Sequence, residues 1–467
     1  MLSAVLDIGK THIKLLVLEN GQQQACFTNK NAPREGLYPH ADTDGIWHWL
    51  CSTLSAYPRT SDIAAVVVTT HGATAALIDG NATDRNKALV LPVVDYEFAG
   101  VEECEESYAR VRPDFSETLS PQLPAGLNLG RQLFWLEQTF AKEFASATHI
   151  LMYPQYWAWR LGGEPASEVT SLGCHTDLWQ PQQQDYSALA DHCNWRRYFA
   201  PLKNAWDELG CVSKPVAQQT GLSETCRIFA GIHDSNASLL RYLPDDNDSN
   251  QTLNVISSGT WTIIMQTNRP VDHLKAARDT LANVDVLGRP VNCARFMGGR
   301  EYETICQLLG GDISMHAEPA AIQQAIDEHW MVTPDFSHGN GPFGHAEPAL
   351  LCPAKPPSPQ AIATLYCALM IDQRLNDLNA NGPVYIEGAF LKNPVLCQLV
   401  AQLRPHQSVM LSSDNTGTVM GAAALMHFNH RQQQVTDLVP CSPATFSQLA
   451  QYKAQWYHAI ATKAVQH

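Results

Sequence analysis

One aspartate stands where a catalytic carboxylate is often found in an α/β protein. Asp234 follows an apolar stretch that begins at Ile228 and closes the segment Gly231-Ile-His-Asp234. Because a hydroxyl is a poor nucleophile, an ionised carboxylate there could take its proton as it attacks a phosphoryl group. The alternative is that Asp234 caps a helix starting near Asn236. We interpret His233 beside it as a structural or hydrogen-bonding residue rather than as the base.

A glycine-containing turn near the N-terminus could bind phosphate through its backbone N–H groups. In Asp7-Ile-Gly9-Lys10-Thr11 the glycine lets the backbone approach an anion closely. Thr11 offers a hydroxyl, Lys10 or Lys14 offers a positive charge, and Asp7 could hold a hydrated Mg²⁺. Taken alone, this spacing favours an ordinary hairpin turn with an aspartate at the end of a strand.

A second turn of the same kind follows much later in the chain. Ser257-Ser258-Gly259-Thr260 has the same two interpretations, but two such turns in one chain support each other. The chain has no G-x-x-x-x-G-K-[ST] loop, no G-x-G-x-x-G after a strand and no G-x-S-x-G segment, which makes glycine hairpins the remaining way to cradle phosphate.

Several polar residues near predicted strand or loop ends could hydrogen-bond a polyol. They are His71, Gly72, Gln155, and His175 with Thr176. Each can equally be a solvated or capping residue.

The elements that would position these residues alternate between short strands and helices. Strands are predicted at 4–8, 13–18 and 64–70, a helix at 132–144, and a further strand at 228–232, which indicates an α/β architecture. Asp245 to Gln251 is the most polar run and predicts a boundary between domains at 1–244 and 252–467, or else an exposed hairpin tip.

The second half repeats the pattern of the first. Asn254 to Ile264 again predicts strand, glycine turn and strand, so that Gly259 matches Gly9 and the chain contains two similar halves. A long amphipathic helix is predicted over 361–378, before a break at Gly382-Pro383 and a strand at 384–386.

Composition limits the partners. The formal charge of −15 disfavours nucleic acid and anionic membrane. No stretch of 18 uncharged apolar residues predicts a membrane span. The thirteen cysteines form no C-x-x-C pair, which favours reduced thiols in a cytoplasmic protein.

Together these motifs resemble those of the FGGY family of carbohydrate kinases, in the same order and over nearly the whole chain. The similar segments are Asp7 to Lys14, with Lys10 in place of a threonine, Gly231 to Asp234, Ser257 to Trp261, Tyr385 to Pro394, and Asp414 to Gly421. Val68 to Gly72 and Trp157 to Glu164 resemble the kinases of L-fuculose and L-rhamnulose more than those of glycerol.

The resemblance implies two actin-like, ribonuclease-H-like domains with a cleft between them for ATP and a sugar. It implies that Asp234 is the general base and that Gly388, Ala389 and Asn393 flank the nucleoside. Two departures stand out. Ala389 replaces the second glycine of the nucleotide segment, and the segment 92–98 lacks the family's D-x-R, which leaves Asp95 or Glu97 to take its place near the sugar.

The sequence therefore predicts transfer of a phosphoryl group from MgATP to a terminal hydroxyl of a ketose, with a 6-deoxyketohexose such as L-fuculose or L-rhamnulose as the expected acceptor. The protein is expected to be a monomer or homodimer. The rivals are a pentulose kinase acting on ribulose or xylulose, an actin-like ATPase without a sugar acceptor, and a catalytically weak sugar binder. The intact Asp234 argues against the last, and the segments around His71 and Thr176 argue against the second.

Overall fold

The computed structural model describes residues 1–244, 250–337, 339–344, 346–412, 417–430 and 438–464. The chain divides into two compact units. Unit 1 comprises Met1–Asp245, Ala282–Pro290 and Thr416–Gln434, and unit 2 comprises Asp246–Leu281, Val291–Asn415 and Val435–His467. The predicted domains, 1–244 and 252–467, separate at the same place near residue 245. The prediction assigned Ala282–Pro290 and Thr416–Gln434 to the second domain, whereas both segments belong to unit 1.

Unit 1 opens with a run of strands and short helices. Its strands are β1 (Leu2–Ile8), β2 (His12–Glu19), β3 (Gln22–Lys30), β4 (Ile63–Thr70), β5 (Ala75–Ile78), β6 (His149–Met152), β7 (Trp179–Gln180), β8 (Asp185–Tyr186), β9 (Glu208–Cys211), β10 (Arg227–Phe229) and β11 (Ile232–His233). Its helices before residue 245 are α1 (Thr43–Ala56), α2 (Glu105–Tyr108), α3 (Phe115–Thr118), α4 (Leu129–Thr139), α5 (Ala141–Ser146), α6 (Tyr153–Leu161), α7 (Val169–Leu172), α8 (Ala188–His192), α9 (Lys214–Thr220) and α10 (Asp234–Leu240). Short 3₁₀ helices lie at Thr60–Asp62, Arg85–Lys87, Ala99–Cys104 and Arg196–Tyr198.

The main sheet of unit 1 has the order β3-β2-β1-β4-β10-β9, with β11 also pairing with β4. β1 and β2 form an antiparallel hairpin, whereas β1, β4, β10 and β11 run parallel. Every residue of β1 is buried, because helices and loops cover both faces of a central parallel strand. Helix α1 packs its buried Ile46, Trp47 and Leu50 into the same core.

Unit 2 is built from the later elements. The later strands are β12 (Asn254–Ser258), β13 (Thr262–Gln266), β14 (Thr280–Val284), β15 (Pro290–Phe296), β16 (Met331–Thr333), β17 (Ala349–Leu351), β18 (Val384–Gly388), β19 (Val409–Ser412) and β20 (Leu438–Pro440). The segment Ala282–Pro290, which holds the end of β14 and the first residue of β15, is counted with unit 1. The later helices are α11 (Gly298–Leu308), α12 (Pro319–Asp327), α13 (Pro359–Asp377), α14 (Pro394–Leu403), α15 (Gly417–Ala424) and α16 (Leu449–Ala464), of which α15 belongs to unit 1. 3₁₀ helices lie at Ala276–Arg278, Ala389–Lys392 and Leu425–His430.

The sheet of unit 2 repeats the strand order of unit 1. Its order is β14-β15-β13-β12-β18-β19-β20. The hairpin β12–β13 is antiparallel, β12 is parallel to β18, and β18 is parallel to β19. In each unit the sheet begins with an antiparallel hairpin flanked by one further strand, β3 in unit 1 and β15 in unit 2. On the other side of the hairpin lie two strands parallel to its inner strand, β4 and β10 in unit 1 and β18 and β19 in unit 2. The repeat predicted from Gly9 and Gly259 is therefore a repeat of topology.

Helix α13 runs over Pro359–Asp377, where 361–378 was predicted. It is 19 residues long and nearly all of it is buried, including Asp372 and Arg374. No helix within the described ranges is both long and apolar enough to cross a membrane.

Helix α15 returns to unit 1 because it packs on α10. Gly421 lies against the carbonyl oxygen of Ala237, and a Cβ at residue 421 would come within 1.8 Å of that oxygen. The hydroxyls of Ser238 and Thr418 lie 2.9 Å apart at the same contact. Since α10 begins at Asp234, the packing of α15 supports the helix that carries the candidate base.

Candidate active site

In unit 1 the predicted catalytic residues meet at the carboxyl edge of the sheet. Asp7 lies in register with Thr69, and both Ile8 and His233 lie in register with Thr70. The chain leaves β1, β4 and β11 at this edge, into Gly9, His71 and Asp234. The carboxyl ends of parallel strands are where α/β sheets bind ligands.

Asp234 is the first residue of α10, and His233 precedes it as the N-cap residue without a side-chain capping bond. The Asp234 carboxylate accepts hydrogen bonds from the backbone N–H of Ser235 at 2.6 Å and from the Ser235 hydroxyl at 3.2 Å. Its side chain is 30% exposed. The helix thus begins at Asp234 rather than near Asn236, and the carboxylate keeps a face available for a proton.

Asp7 is a buried carboxylate that has a distant counter-ion. Burial raises its pKa to about 7, opposed by Lys14, whose Nζ lies 3.9 Å from the Asp7 Oδ2. The negative charge of Asp234 raises the pKa further. A cation would relieve this arrangement. The described residues contain no group of three or more His, Cys, Asp and Glu that could hold a metal ion, so Mg²⁺ would depend on Asp7 and on phosphate oxygens, as is usual for this ion.

We predict that Asp7→Asn makes the unliganded protein more stable at neutral pH. The pKa of Asp7 is higher in the folded protein than in the unfolded chain. The free energy of unfolding therefore falls as the pH rises from about 4 to about 7. The gain in Tm from Asp7→Asn should therefore be larger at about pH 8 than at about pH 5. Thermal unfolding at both pH values measures it.

The control for this prediction is Asp177→Asn. Asp177 is fully buried but accepts hydrogen bonds from Arg112 and from the Tyr108 hydroxyl, both at 2.8 Å. Losing it should lower Tm at both pH values, because it leaves a partly buried guanidinium without its carboxylate. A Tm difference for Asp7→Asn that does not change with pH would contradict the prediction.

The turn Gly9–Thr11 keeps its backbone at the surface. The Gly9 N–H donates to the His12 carbonyl at 2.9 Å, and Thr11 is exposed. Asn31 fastens the turn, since its side chain donates to the Gly9 carbonyl at 2.7 Å and its N–H to the Thr11 carbonyl at 2.9 Å. Nothing in the sequence pointed to Asn31.

Lys10, predicted as a cation for phosphate, has partners on a distant loop. Its ammonium binds the buried carboxylate of Asp95 and lies 3.5 Å from Glu97. It also lies 4.6 Å from the centre of the Tyr96 ring. The charge of Lys10 is thus matched within unit 1, and its contact with phosphate stays a prediction. The structure brings together Lys10 and Asp95, which were predicted for different ligands.

His71 lies beside this cluster. Its ring is 5.3 Å from both Tyr96 and Tyr153, and its Nδ1 lies 3.1 Å from the Gly72 carbonyl. Burial lowers the pKa of His71, although Asp234 opposes the shift. A small pocket of about 20 Å³ lies here; its lining includes Lys10, Asn31, His71, Thr74, Asp95 and Tyr96.

Gln155, predicted to contact a sugar, is fully buried. Its amide nitrogen donates to the carbonyls of Ala230 at 3.0 Å and Gly231 at 3.2 Å. It therefore holds the backbone just before Asp234. Its Oε1 has no hydrogen-bond partner among the described residues, and a sugar contact stays a prediction.

In unit 2 the second turn and the nucleotide segment share one edge of the sheet. Ser258 and Gly388 are paired in register at the ends of β12 and β18. The Ser258 hydroxyl joins the two strands, because it donates to the Glu387 carbonyl at 2.6 Å and accepts from the Phe390 N–H at 2.9 Å. Beyond Ser258, Gly259 and Thr260 are exposed.

Gly388 has a φ of 85° and a ψ of −146°, a conformation open to glycine alone. A Cβ there would lie 2.1 Å from the Ser258 carbonyl oxygen. Ala389 follows with its methyl group exposed, at the start of a 3₁₀ helix. The glycine that this turn requires is therefore present, and the substituted residue, Ala389, has a backbone conformation that does not require glycine.

Asn393 is a helix cap in this structure. It is buried, its side chain accepts from the Leu396 N–H at 3.3 Å, and its amide donates to the Thr364 hydroxyl at 2.9 Å. Asn followed by Pro394 is a typical start of a helix. A contact with the nucleoside stays a prediction. Asp414, in the next similar segment, lies outside the described residues.

Sequence reasoning missed two glycines that pack on the second turn. Gly299, at the start of α11, lies so close that a Cβ would come within 2.3 Å of the Gly259 carbonyl oxygen. A Cβ at Gly298 would come equally close to the Thr262 hydroxyl. The pair Gly298-Gly299 at a helix start was the available signal, because adjacent glycines there permit close approach of backbone.

Two ribonuclease-H-like units, each with a glycine turn at the carboxyl edge of its sheet, define a protein of the two-domain actin-like ATPase fold. The family descriptions that match are the N-terminal domain of the FGGY family of carbohydrate kinases, over residues 2–240, and the carbohydrate kinase FGGY C-terminal domain, over 250–435. The chain belongs to the FGGY family of carbohydrate kinases. The predicted family and fold are thus confirmed.

Known relatives agree with this assignment. A carbohydrate kinase from Novosphingobium aromaticivorans is 35% identical, with a TM-score of 0.87 over 98% of both chains. A xylulose kinase from Rhodospirillum rubrum, 14% identical, has a TM-score of 0.78 over 99% of this chain and 98% of its own, which shows the shared fold. The L-fuculokinase of Salmonella typhi is 25% identical over 284 residues. That match spans 57% of this chain and 57% of the relative, little more than half of either.

Proposed function

We propose that the protein is a carbohydrate kinase that transfers the γ-phosphoryl group of ATP to a hydroxyl of a small neutral ketose. The observation that carries the proposal is the position of Asp234, which lies at the start of α10 with one face exposed, at the same sheet edge as Asp7 and His71. Family membership supports the reaction class.

In the proposed reaction, residues of the two units have different roles. Asp234 takes the proton of the acceptor hydroxyl as its oxygen attacks the γ-phosphorus, and the bond from that phosphorus to the ADP oxygen breaks. Asp7 would hold Mg²⁺ through water, where the ion would offset the negative charge of the phosphates. Backbone N–H groups at Gly9–Thr11 and Gly259–Thr260 would bind the phosphates. Gly388 and Ala389 are the residues proposed to lie against the nucleoside.

The pocket in unit 1 supports a neutral acceptor. Asp95 and Glu97 bring two carboxylates against the single ammonium of Lys10, so the local charge is negative. A sugar acid would meet repulsion there, whereas the hydroxyls of a neutral sugar could donate to Asp95. The similarity to L-fuculokinases supports a 6-deoxyketohexose such as L-fuculose or L-rhamnulose. His71 and Gly72 are the proposed neighbours of its hydroxyls.

Asp95→Asn is expected to raise KM for the sugar by about 10- to 100-fold while KM for ATP stays the same, because hydrogen bonds to a charged group contribute about 1.5–3 kcal/mol. Steady-state kinetics with each substrate varied measures it. Glu19→Gln is the matched control, since Glu19 is also ion-paired, with Arg59 at 2.8 Å, at the opposite end of strand β2. An unchanged sugar KM in Asp95→Asn would remove Asp95 from the sugar site.

ADP release should be measured over a panel of L-fuculose-type and L-rhamnulose-type ketoses, ribulose, xylulose, glycerol and gluconate. Release stimulated most by a 6-deoxyketohexose supports the proposal. Stimulation by a pentulose instead makes the protein a pentulose kinase. Hydrolysis that no sugar stimulates indicates an ATPase without an acceptor, and no turnover with any sugar indicates a sugar binder.

We also infer that the protein acts on a small molecule in a reducing compartment such as the cytoplasm. All thirteen cysteines, each within the described residues, carry free thiols. The net charge of −15 supports a small-molecule ligand over nucleic acid. Size-exclusion chromatography with light scattering would decide between monomer and homodimer.

A further inference from the structure

A buried cysteine, histidine and asparagine form a chain of contacts that ends at the candidate base. Cys174, His233 and Asn236 are 2%, 5% and 2% exposed. The His233 Nε2 lies 3.9 Å from the Cys174 Sγ, and the His233 Nδ1 lies 2.6 Å from the Asn236 Oδ1. The same Nε2 lies 3.2 Å from the Asp234 Oδ1. His233 therefore bridges a thiol and the carboxylate.

Asn236 determines where His233 carries its proton. The Asn236 amide nitrogen donates to the Val284 carbonyl, which leaves its Oδ1 as an acceptor for the ring. The His233 Nδ1 must then carry a hydrogen. If Nε2 were unprotonated, its lone pair would lie 3.2 Å from a carboxylate oxygen, whereas a protonated ring forms an ion pair with that carboxylate.

The electrostatic surroundings favour the protonated ring. Burial opposes the charge on His233, but Cys174 and Asp234 outweigh it and raise the pKa of His233 to about 10. Burial likewise opposes ionisation of the Cys174 thiol, but His175 and His233 lower its pKa to about 5. Both shifts favour the charged form of the pair, a thiolate beside an imidazolium.

Other titratable groups surround this pair. They are Glu168 at the start of α7, His175 after Cys174, His71 after β4, and Asp7 on β1, whose charge interacts with that of Asp234. Burial raises the pKa of Glu168 to about 7, and His233 opposes the shift. Of these groups, His175 acts most directly on the pair, because it interacts with Cys174, while Asp234 interacts with His233.

Because Gly72 has no side chain, there is room for His233 and Cys174 beside it. A Cβ at residue 72 would lie 2.8 Å from the His233 Nε2 and 3.5 Å from the Cys174 Sγ. Any larger residue there would push the imidazole from its place. This packing is a reason for a glycine at residue 72 that is independent of the proposed sugar contact.

We propose that His233 is a positioning residue for the base, and that Cys174 and Asn236 hold its imidazole so that it orients the Asp234 carboxylate. The inference rests on the proposed function, in which Asp234 takes the proton of the acceptor. Cys174 acts only through His233.

Kinetics of four variants test the role of His233. His233→Leu removes both charge and donor and should lower kcat by roughly 10- to 100-fold, with the KM values for ATP and sugar little changed. His233→Gln keeps an N–H donor and should recover part of the loss. Cys174→Ser should lower kcat by a smaller factor, since a serine hydroxyl stays neutral beside the ring. Cys226→Ala, at a buried thiol in the core of the same unit, is the control and should leave kcat unchanged.

A spectroscopic measurement tests the same coupling without turnover. The difference in ultraviolet thiolate absorbance between wild type and Cys174→Ser should be present at neutral pH and disappear on acidification, with a midpoint near the Cys174 pKa of about 5. Asp234→Asn should move that midpoint to lower pH, because the negative charge that opposes the thiolate is lost while the imidazolium stays. In His233→Leu the band should be absent at neutral pH. Circular dichroism of each variant shows whether it is folded.

The outcomes separate this inference from the proposed function. Wild-type turnover in Asp234→Asn would overturn the base assignment, and this inference with it. Loss of turnover in Asp234→Asn together with wild-type kcat in His233→Leu and an unmoved thiolate midpoint would overturn this inference alone. If no sugar in the panel is phosphorylated, the thiolate midpoint in Asp234→Asn decides it: a shift supports the coupling, and no shift refutes it.

Discussion

Asp234→Asn is expected to lower kcat by about 10²- to 10⁴-fold, the usual contribution of a general base, while the affinity for ATP stays the same. The asparagine can still accept from the Ser235 N–H at the start of α10, so the helix should keep its place. It cannot take a proton from the acceptor hydroxyl. Steady-state kinetics, with nucleotide binding measured by calorimetry, separate the two effects.

The matched control for Asp234→Asn is Asp191→Asn in the same unit. Asp191 is an exposed carboxylate paired with Arg196 at 2.7 Å, and its loss should leave kcat unchanged. Wild-type turnover in Asp234→Asn would show that another group takes the proton. A parallel loss in Asp191→Asn would show that the effect is not specific.

Gly388→Ala is expected to destabilise unit 2 by about 2–5 kcal/mol and to raise KM for ATP at least about tenfold. The added methyl group would lie 2.1 Å from the Ser258 carbonyl and would require a conformation that only glycine adopts freely. Relief requires β18 to move from β12, next to the exposed turn at Gly259. Thermal unfolding should show a fall in Tm of roughly 5–15 °C.

Ala389→Gly is the control for this change, because it alters the neighbouring residue whose side chain is exposed. It should change the stability by less than about 1 kcal/mol. If Ala389→Gly lowers Tm as much as Gly388→Ala does, the constraint lies in the flexibility of the turn rather than in the contact with Ser258.

Much of the fold could be predicted because its signals are local. The stretches 4–8 and 13–18 are apolar because β1 and β2 are buried, and a glycine marks the turn between them. The long helix at 361–378 was predicted to within two residues of α13. The return of Ala282–Pro290 and Thr416–Gln434 to unit 1 could not be predicted, since it depends on packing such as that of Gly421 on Ala237.

The candidate site also has residues that the sequence predicts and contacts that it does not. Asp7, Gly9 and Asp234 were found because each ends or follows a strand that the sequence itself marks. The pairing of Lys10 with Asp95 joins residues 85 apart and is visible only once β1 and the loop before Asp95 are placed. Asn393 shows the opposite case, since its role as a helix cap was available from the adjacent proline.

The return of the chain to unit 1 has a consequence for how the protein is made. During synthesis the first 245 residues leave the ribosome long before α15, which belongs to the same unit. Until residues 416–434 have emerged, the surface of α10 around Ala237 lacks the helix that covers it in the finished protein. Unit 1 therefore cannot complete its folding ahead of unit 2, as an N-terminal domain otherwise would. A fragment ending at residue 244 would preserve this incomplete stage, with the base helix uncovered.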